Sequence, residues 1–563
     1  MRNLMMPVLA LAILGCSSAD KPAEPMHDAT VETRHTAPVP AAAATGTQGM
    51  VSSAHPVATR AGVDILAAGG NAFDAAVAIA ATLNVVEPMM SGMGGYGTIM
   101  VFDVNDGTPM YLDASGRIPA GVDPDAYRAP TPNYMANRVG AKAVSTPGAT
   151  HAWEALHEHG TMPWADLLQP AIHAAADGYE LDERIAGFIG LAYDEFSDYS
   201  KSIYGRGGKP LGAGDTLVQK DLAGTLRILA SDGAAAIYGG ELGRAIDAAM
   251  KSAGGFLAMQ DLEAHEAEWW EPLHLHYHGH DVYTPSAPAG AFPMLIRLGM
   301  MDTMHIDEFG HNSLEYLHRF AEITKLAYWD RLAYSGDPDV APPPYDMLLS
   351  PEYWQRRVDM IDVDRATDFD YSGIVSANSQ HTTHFVVADR WGNIVSAQVT
   401  LGGLFGSKIM PEGTGFWLNN SLRYCTFEPA GNPMDAHPGR RKLSSDAPSI
   451  VFRDGKAVIA IGTPGGHTIT QAVAQMLTNM LDFGMPVNEA IAAPRIAFVE
   501  PNTLVVEETI PADIREGLLR RGHHVQVDYI GNANGLSIEH LDDGSLRFTG
   551  ASDPRGAGLA KGL

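Results

Sequence analysis

Residues 381–384 set two threonines, Thr382 and Thr383, between His381 and His384 at the mouth of the apolar run FVVAD. A threonine hydroxyl is a poor nucleophile unless a base stands beside it. Inside a chain Thr382 has only an amide nitrogen, which cannot take a proton. If the His381–Thr382 bond were cut, the new α-amine would have an ordinary pKa of about 7.7–8.0 and could serve as that base. The competing reading is two ordinary strand residues, because β-branched side chains suit a pleated surface. A second candidate is Pro464-Gly465-Gly466, which ends the strand-like DGKAVIAIGT and opens the helical HTITQAVAQMLTNMLDFG. Two consecutive N–H groups with no side chains in the way can approach a developing oxyanion, assisted by the helix dipole.

Three further stretches invite chemistry. In HLHYHGH, a strand would put His274, His276 and His278 on one face, and imidazoles ligate zinc or copper. No cysteine or supporting pattern lies nearby, so a solvated strand face is the preferred reading and no metal is expected. Arg440-Arg441-Lys442 is a basic cluster directly before Leu443-Ser444-Ser445, read either as a solvated loop or as local attraction for an anionic substrate. The glycine-rich SGMGGYG precedes a strand instead of following one, so it is a close-packed turn near a cleft and not a phosphate cradle. There is no GxSxG elbow and no HExxH.

These residues need a large body to position them. The chain has 563 residues, 45% hydrophobic, with 66 acidic and 38 basic side chains and a formal charge of −28. That balance argues against nucleic acid as a partner. Helical spacing from Pro56 through Leu66 stops at Gly69-Gly70, and Asn71 is placed to cap AFDAAVAIAATLNVV, apolar nearly all round and so buried. Asn105-Asp106-Gly107 signals a hairpin. Residues 150–260 read as mainly helical, and the C-terminal region alternates strand and helix. The mixture fits a layered body of helices and sheets.

The opening MRNLMMPVLALAILGCSSAD carries Arg2, an apolar stretch and small residues, the pattern of a secretory signal. Ile13-Leu14-Gly15-Cys16 resembles a lipobox, which implies lipidation at Cys16; Ser17 resembles the outer-membrane sorting pattern. The expected organisation is a signal peptide over 1–16 and a Pro/Ala-rich tether over 17–46. A lipid anchor would be the only membrane contact, in the periplasm or cell envelope. With Cys16 lipidated, Cys425 is the remaining thiol and no internal disulfide forms.

QHTTHFVVAD resembles the processing site of γ-glutamyltransferases, also called glutathione hydrolases, among the N-terminal nucleophile hydrolases. GMVSSAHPVATRAGVDILAAGGNAFDAAVA, SGMGGYGTIMV, GTMPWADLLQPAIHAAADGY, GDTLVQKDLAGTL, KLSSDAPSIV, IGTPGGHTITQ and GASDPR resemble further signatures of that family in the family's order, over about residues 48–556. The resemblance implies an α+β fold, a four-layer αββα sandwich. It implies self-cleavage between His381 and Thr382 into a large fragment, 47–381, and a small fragment, 382–563, interlocked as one catalytic domain. Thr382 would be the nucleophile, Thr400 its positioning partner, Gly465 and Gly466 the oxyanion hole, and Ser444 and Ser445 the holders of the substrate's α-carboxylate. No cofactor is implied. The substrate would be a small amide, with water, an amine or a dipeptide resolving the acyl-enzyme.

The pocket departs from the family pattern. The family's carboxylate-binding arginine falls at Ser115, with Arg117 two residues later. Asn420 is retained, Ser421 stands where the family has Gln or Glu, and Tyr424 where it has the amine-binding Asp. Gly402 stands where Asn is common. A buried ammonium without a counter-charge is costly. The resemblance implies cleavage of γ-glutamyl, glutathione-like amides, while the departures put recognition of the α-amine at odds with it. The alternative is a cephalosporin (glutaryl) acylase-like hydrolysis of amides lacking an α-amino group, with Arg117 on the distal carboxylate. A non-catalytic binding lipoprotein is the third reading.

Overall fold

The computed structural model describes residues 42–128, 134–368 and 381–563. The expected leader, Cys16 and most of the tether lie outside the described residues. Two seven-stranded antiparallel sheets stack face to face between two layers of helices. Seven of their strands precede residue 381: β1 (Ala44–Gly46), β2 (Gly49–Ser53), β3 (Tyr96–Phe102), β4 (Pro109–Asp113), β5 (Glu268–Trp270), β6 (Leu273–Tyr277) and β7 (His280–Thr284). Seven follow it: β8 (His381–Asp389), β9 (Ile394–Gly402), β10 (Ser449–Arg453), β11 (Lys456–Gly462), β12 (Asn534–His540), β13 (Leu546–Ser552) and β14 (Leu559–Gly562).

One sheet has the order β14-β2-β8-β9-β3-β4-β5 and the other β1-β13-β12-β11-β10-β7-β6. Both sheets therefore combine strands from before and after residue 381. The layers follow from the two-residue period of each strand. On β8 and β9, Phe385, Val387, Val395, Ala397 and Val399 pack into the helix layer of α1 (Pro56–Ala67) and α2 (Ala72–Val86). The opposite face gives Val386, Ala388 and Ile394 to the core between the sheets, against Ile450, Ala460, Leu536 and Phe548. The far sheet packs its outer face on α3 (Phe292–Thr303), α4 (Leu314–Tyr334) and α5 (Ile469–Leu481). This is the αββα sandwich.

Local sequence rules set the ends of these elements. Asn71 Oδ1 accepts from the Phe73 and Asp74 amides and Asp74 accepts from Asn71, a complete capping box, and all fifteen residues of α2 are buried. The Asn105-Asp106-Gly107 hairpin joins β3 and β4, with Gly107 at φ 72°. In the turn after β8, one oxygen of the buried Asp389 accepts from the Trp391, Gly392 and Asn393 amides. Its other oxygen accepts from Ala72, fixing the start of α2 to the β8–β9 turn. Among the described residues, no helix is long and apolar enough to cross a membrane.

One boundary is corrected. Residues 44–46, placed in the tether by composition, form β1 and pair with Phe548–Gly550 of β13. Gly46 lies against Gly49 and Gly562 so closely that any Cβ would collide, so the small residues reflect close packing at this point.

The two sheets are tied by polar bridges within an apolar interface. Gln398 of β9, fully buried, donates from Nε2 to the Thr463 carbonyl at 2.9 Å and accepts at Oε1 from the Ala447 amide at 2.7 Å. Asn534 donates to the His384 carbonyl at 2.7 Å and accepts from Ser52 Oγ at 2.9 Å. Replacing Gln398 by Met keeps the shape but leaves a carbonyl and an amide unpaired, at a cost of about 2–5 kcal/mol. A lowered urea midpoint is the expected result for Gln398→Met; an unchanged midpoint would show that the bridge contributes nothing.

Candidate active site

Thr382 is the second residue of β8, directly opposite Thr400 of β9, which is opposite Tyr96 of β3. Residues opposite one another point to the same side, so the three side chains form one row facing the other sheet. The next row is His384, Gln398, Thr98 and Asp113. Thr382 Oγ1 donates to Thr400 Oγ1 at 3.2 Å. Thr400 Oγ1 donates in turn to the His381 carbonyl at 2.8 Å and accepts from the Gly402 amide at 2.8 Å. Thr382 is 4% exposed. One hydroxyl thus touches both the candidate nucleophile and the carbonyl that precedes it. Thr383 points the other way and donates to Glu87, itself paired with Arg184, so its hydroxyl is committed to structure.

Glycines let the neighbouring backbones close on this row. Gly95, in the turn before β3, abuts the Thr400 carbonyl, and Gly94 abuts Trp417, so SGMGGYG is the close-packed turn its composition implies. Gly402 has φ 97° and lies against Asn420 Oδ1, which leaves no room for the larger residue the resemblance would place there.

On the facing side, Gly462 at the end of β11 packs on the His384 ring, and Thr463 is held by Gln398. The chain then enters Pro464-Gly465-Gly466 with φ 141° at Gly465 and 58° at Gly466, and a short turn leads into α5. Both glycines hold conformations in which a side chain would be strained. Ser444 Oγ lies 3.4 Å from Thr98 Oγ1. Ser445 Oγ accepts from Arg331 at 3.1 Å and meets His467 Nδ1 at 3.4 Å. Gln398 thus ties the segments that carry the paired serines and the glycine pair to the strand that carries Thr400.

Several residues singled out in the sequence take other roles. Arg117 is half-exposed and binds Glu268 at 2.9 Å and the Gly439 carbonyl at 3.3 Å, so its charge is already matched at the surface. Asn420 accepts from the Gly403 amide and donates to the Arg138 carbonyl, bracing the turn after β9. The Ser421 hydroxyl pairs with Ser145 and its amide with Asn419. Tyr424 is buried beside Tyr96 and Arg331, where neighbouring groups and burial push the Tyr96 hydroxyl well up. The basic cluster splits: Arg441 is matched by Glu268, Asp337 and Asp339, while Lys442 turns inward. His274 and His276 are exposed on β6 and share Asp281. His278 corrects the strand reading, since it sits in the following turn at φ 46° between Asp302 and Asp482. Cys425 is a free, buried thiol that burial pushes up to about 12.

The sequence did not mark Arg331, Gln398, Asp446, His467 or Glu500. Burial pushes His467 well down, so it is neutral. It pushes the Glu500 carboxyl, 3.6 Å from His467 Nε2, up to about 8. A carboxyl that stays protonated in the fold but ionises at its ordinary value when unfolded stabilises the protein at low pH. That contribution is lost as pH rises through the window from its ordinary value to about 8. Glu500→Gln should therefore flatten the pH dependence of the unfolding midpoint between pH 5 and 8, with its advantage over the wild type growing toward pH 8. Parallel profiles would refute the assignment.

Comparison with known proteins places this geometry among relatives. A family model described as Gamma-glutamyltranspeptidase matches residues 58–563. The chain is 35% identical to the glutathione hydrolase proenzyme of Bacillus subtilis (strain 168), covering 92% of each chain. It is equally 35% identical to the acylase ACY 1 proenzyme of Pseudomonas sp. (strain V22), covering 90% of this chain and 92% of that one. The crystal structure of cephalosporin acylase from Bacillus halodurans superposes with a TM-score of 0.83 at 28% identity, over 95% of this chain and 99% of that one.

Proposed function

The chain belongs to the gamma-glutamyltranspeptidase family, and on that premise we propose that it is a self-processing amide hydrolase and acyltransferase with Thr382 as its nucleophile. The observation that carries the reading is the hydrogen-bond chain from Thr382 through Thr400 to the His381 carbonyl. In the first step Thr382 Oγ1 adds to the His381 carbonyl carbon while the Thr400 hydroxyl stabilises the charge developing on its oxygen. The peptide C–N bond breaks as its nitrogen takes up the Oγ1 proton, the acyl group moves to oxygen, and water hydrolyses the ester. The products are a His381 carboxylate and a Thr382 α-amine.

That amine then accepts the Oγ1 proton as Thr382 attacks a substrate amide. In this reading the Gly465 and Gly466 amides donate to the developing oxyanion, and the amine returns its proton to the departing nitrogen. Water or an acceptor amine resolves the ester. The relatives named as glutathione hydrolases favour a γ-glutamyl amide as substrate. A specific feature favours the acylase reading beside it: residues 420–424 offer no carboxylate for an α-ammonium, and Asn420 and Ser421 are already bonded to the protein.

For location, the leader and Cys16 support an exported lipoprotein held at the envelope by its acyl chains. With Cys16→Ser, the protein should move from the detergent phase to the aqueous phase of a partitioning assay; a wild type already in the aqueous phase would refute the anchor. For the chemistry, purified wild-type protein should run as two fragments in denaturing electrophoresis and Thr382→Ala as one. A single uncut wild-type chain would overturn the reading.

A further inference from the structure

Resting on that reaction and on its acylase reading, we propose that Lys442 is the residue that binds the distal carboxylate of the acyl group. Lys442 is 3% exposed, and its Nζ has no hydrogen-bond partner among the described residues. It lies 3.7 Å from the centroid of the Tyr96 ring. A buried ammonium with all three donors unused is costly unless a ligand satisfies it. The cation–π contact recovers part of that cost but none of the hydrogen bonds. Asp113 and Asp446 are close enough to favour the charged form against burial, which pulls the ammonium down to about 8. Asp113 is engaged by the Ser115 hydroxyl and Asp446 by Thr98, so both act as background charge.

Position connects Lys442 to the nucleophile. Tyr96 stands two strand spacings, about 10 Å, from Thr382 along one row on the same face. The four carbon–carbon bonds of a glutaryl group reach about 5 Å. Attack by Thr382 Oγ1 adds about 3 Å at one end, and a hydrogen bond to Nζ about 3 Å at the other. The reach of a five-carbon diacid is of the same order as that spacing, and the Ser444 hydroxyl lies beside Thr98 in the next row. Lys442 thus takes the role that the family pattern assigns to the position now held by Ser115, and that Arg117, matched by Glu268, does not fill. An α-amino group on the acyl chain is not required.

The test compares glutaryl and pentanoyl p-nitroanilides, of equal chain length with and without the carboxylate, on processed wild type and on Lys442→Met. The wild type should prefer the glutaryl anilide, and Lys442→Met should lower the glutaryl-to-pentanoyl ratio of kcat/KM by about 10- to 100-fold, chiefly through KM. Calorimetry supplies a readout independent of turnover: glutarate should bind processed wild type, neutral glutaramide should not, and Lys442→Met should lose the glutarate signal. If neither anilide is cleaved but glutarate binds through Lys442, the subsite stands and the proposed reaction falls. Turnover of both anilides with an unchanged ratio, or no glutarate binding to the wild type, overturns the subsite. A wild type that binds no glutarate overturns the subsite even if the variant does not fold.

Discussion

A single carboxamide connects the parts of this site. Gln398 rises from the strand that carries Thr400 and grips both the carbonyl before Pro464-Gly465-Gly466 and the amide just after Ser444-Ser445-Asp446. The threonine row belongs to one sheet, while the glycine pair and the serine pair belong to segments of the other. Face-to-face packing of apolar side chains sets a distance between sheets but leaves their sliding weakly determined, because dispersion has little directionality. A two-point hydrogen bond from a fully buried amide removes that freedom. The spacing between the threonine row, the glycine pair and the serine hydroxyls therefore depends, together with the Asn534 bridge, on a residue outside that row.

Around this anchor the protein keeps its charges unevenly. Burial holds Glu500 and His467 neutral near pH 7, while the Arg331 and Arg423 charges act on His467. Arg331, Lys442 and Asp446 lie on the side of the serines.

Much of this was legible in the residues. The capped, wholly buried α2, the Asn-Asp-Gly hairpin, the close-packed glycine turn and the αββα layering follow from local patterns or from the ordered motifs. Thr382 alone could not be told from a strand threonine; register with Thr400 distinguishes it from Thr383, whose hydroxyl is committed to Glu87. Arg117 was misplaced because spacing along the chain does not reveal that Glu268, 151 residues away, claims its charge. Arg331 was missed because it lies in a helix with other charged residues and only packing decides which of them is buried. Lys442 was noticed as part of a basic cluster, but sequence could not show that Arg441 faces ion pairs while its neighbour faces the site.

The mixing of strands from both sides of residue 381 in each sheet has a consequence for the lifetime of the protein. β8 lies between β2 and β9, and β14 closes the edge beside β2, so strands from either side of residue 381 hold each other in place. Pairings of this kind form readily within one chain, where the connection keeps the partners at high local concentration. After scission that connection is gone. The two fragments remain in a pattern that only the uncut chain could have written, and unfolding them erases information that neither fragment carries alone. Durability then rests on the unfolding barrier more than on equilibrium stability. Each molecule matures once, and one that comes apart has lost the instructions for its own repair.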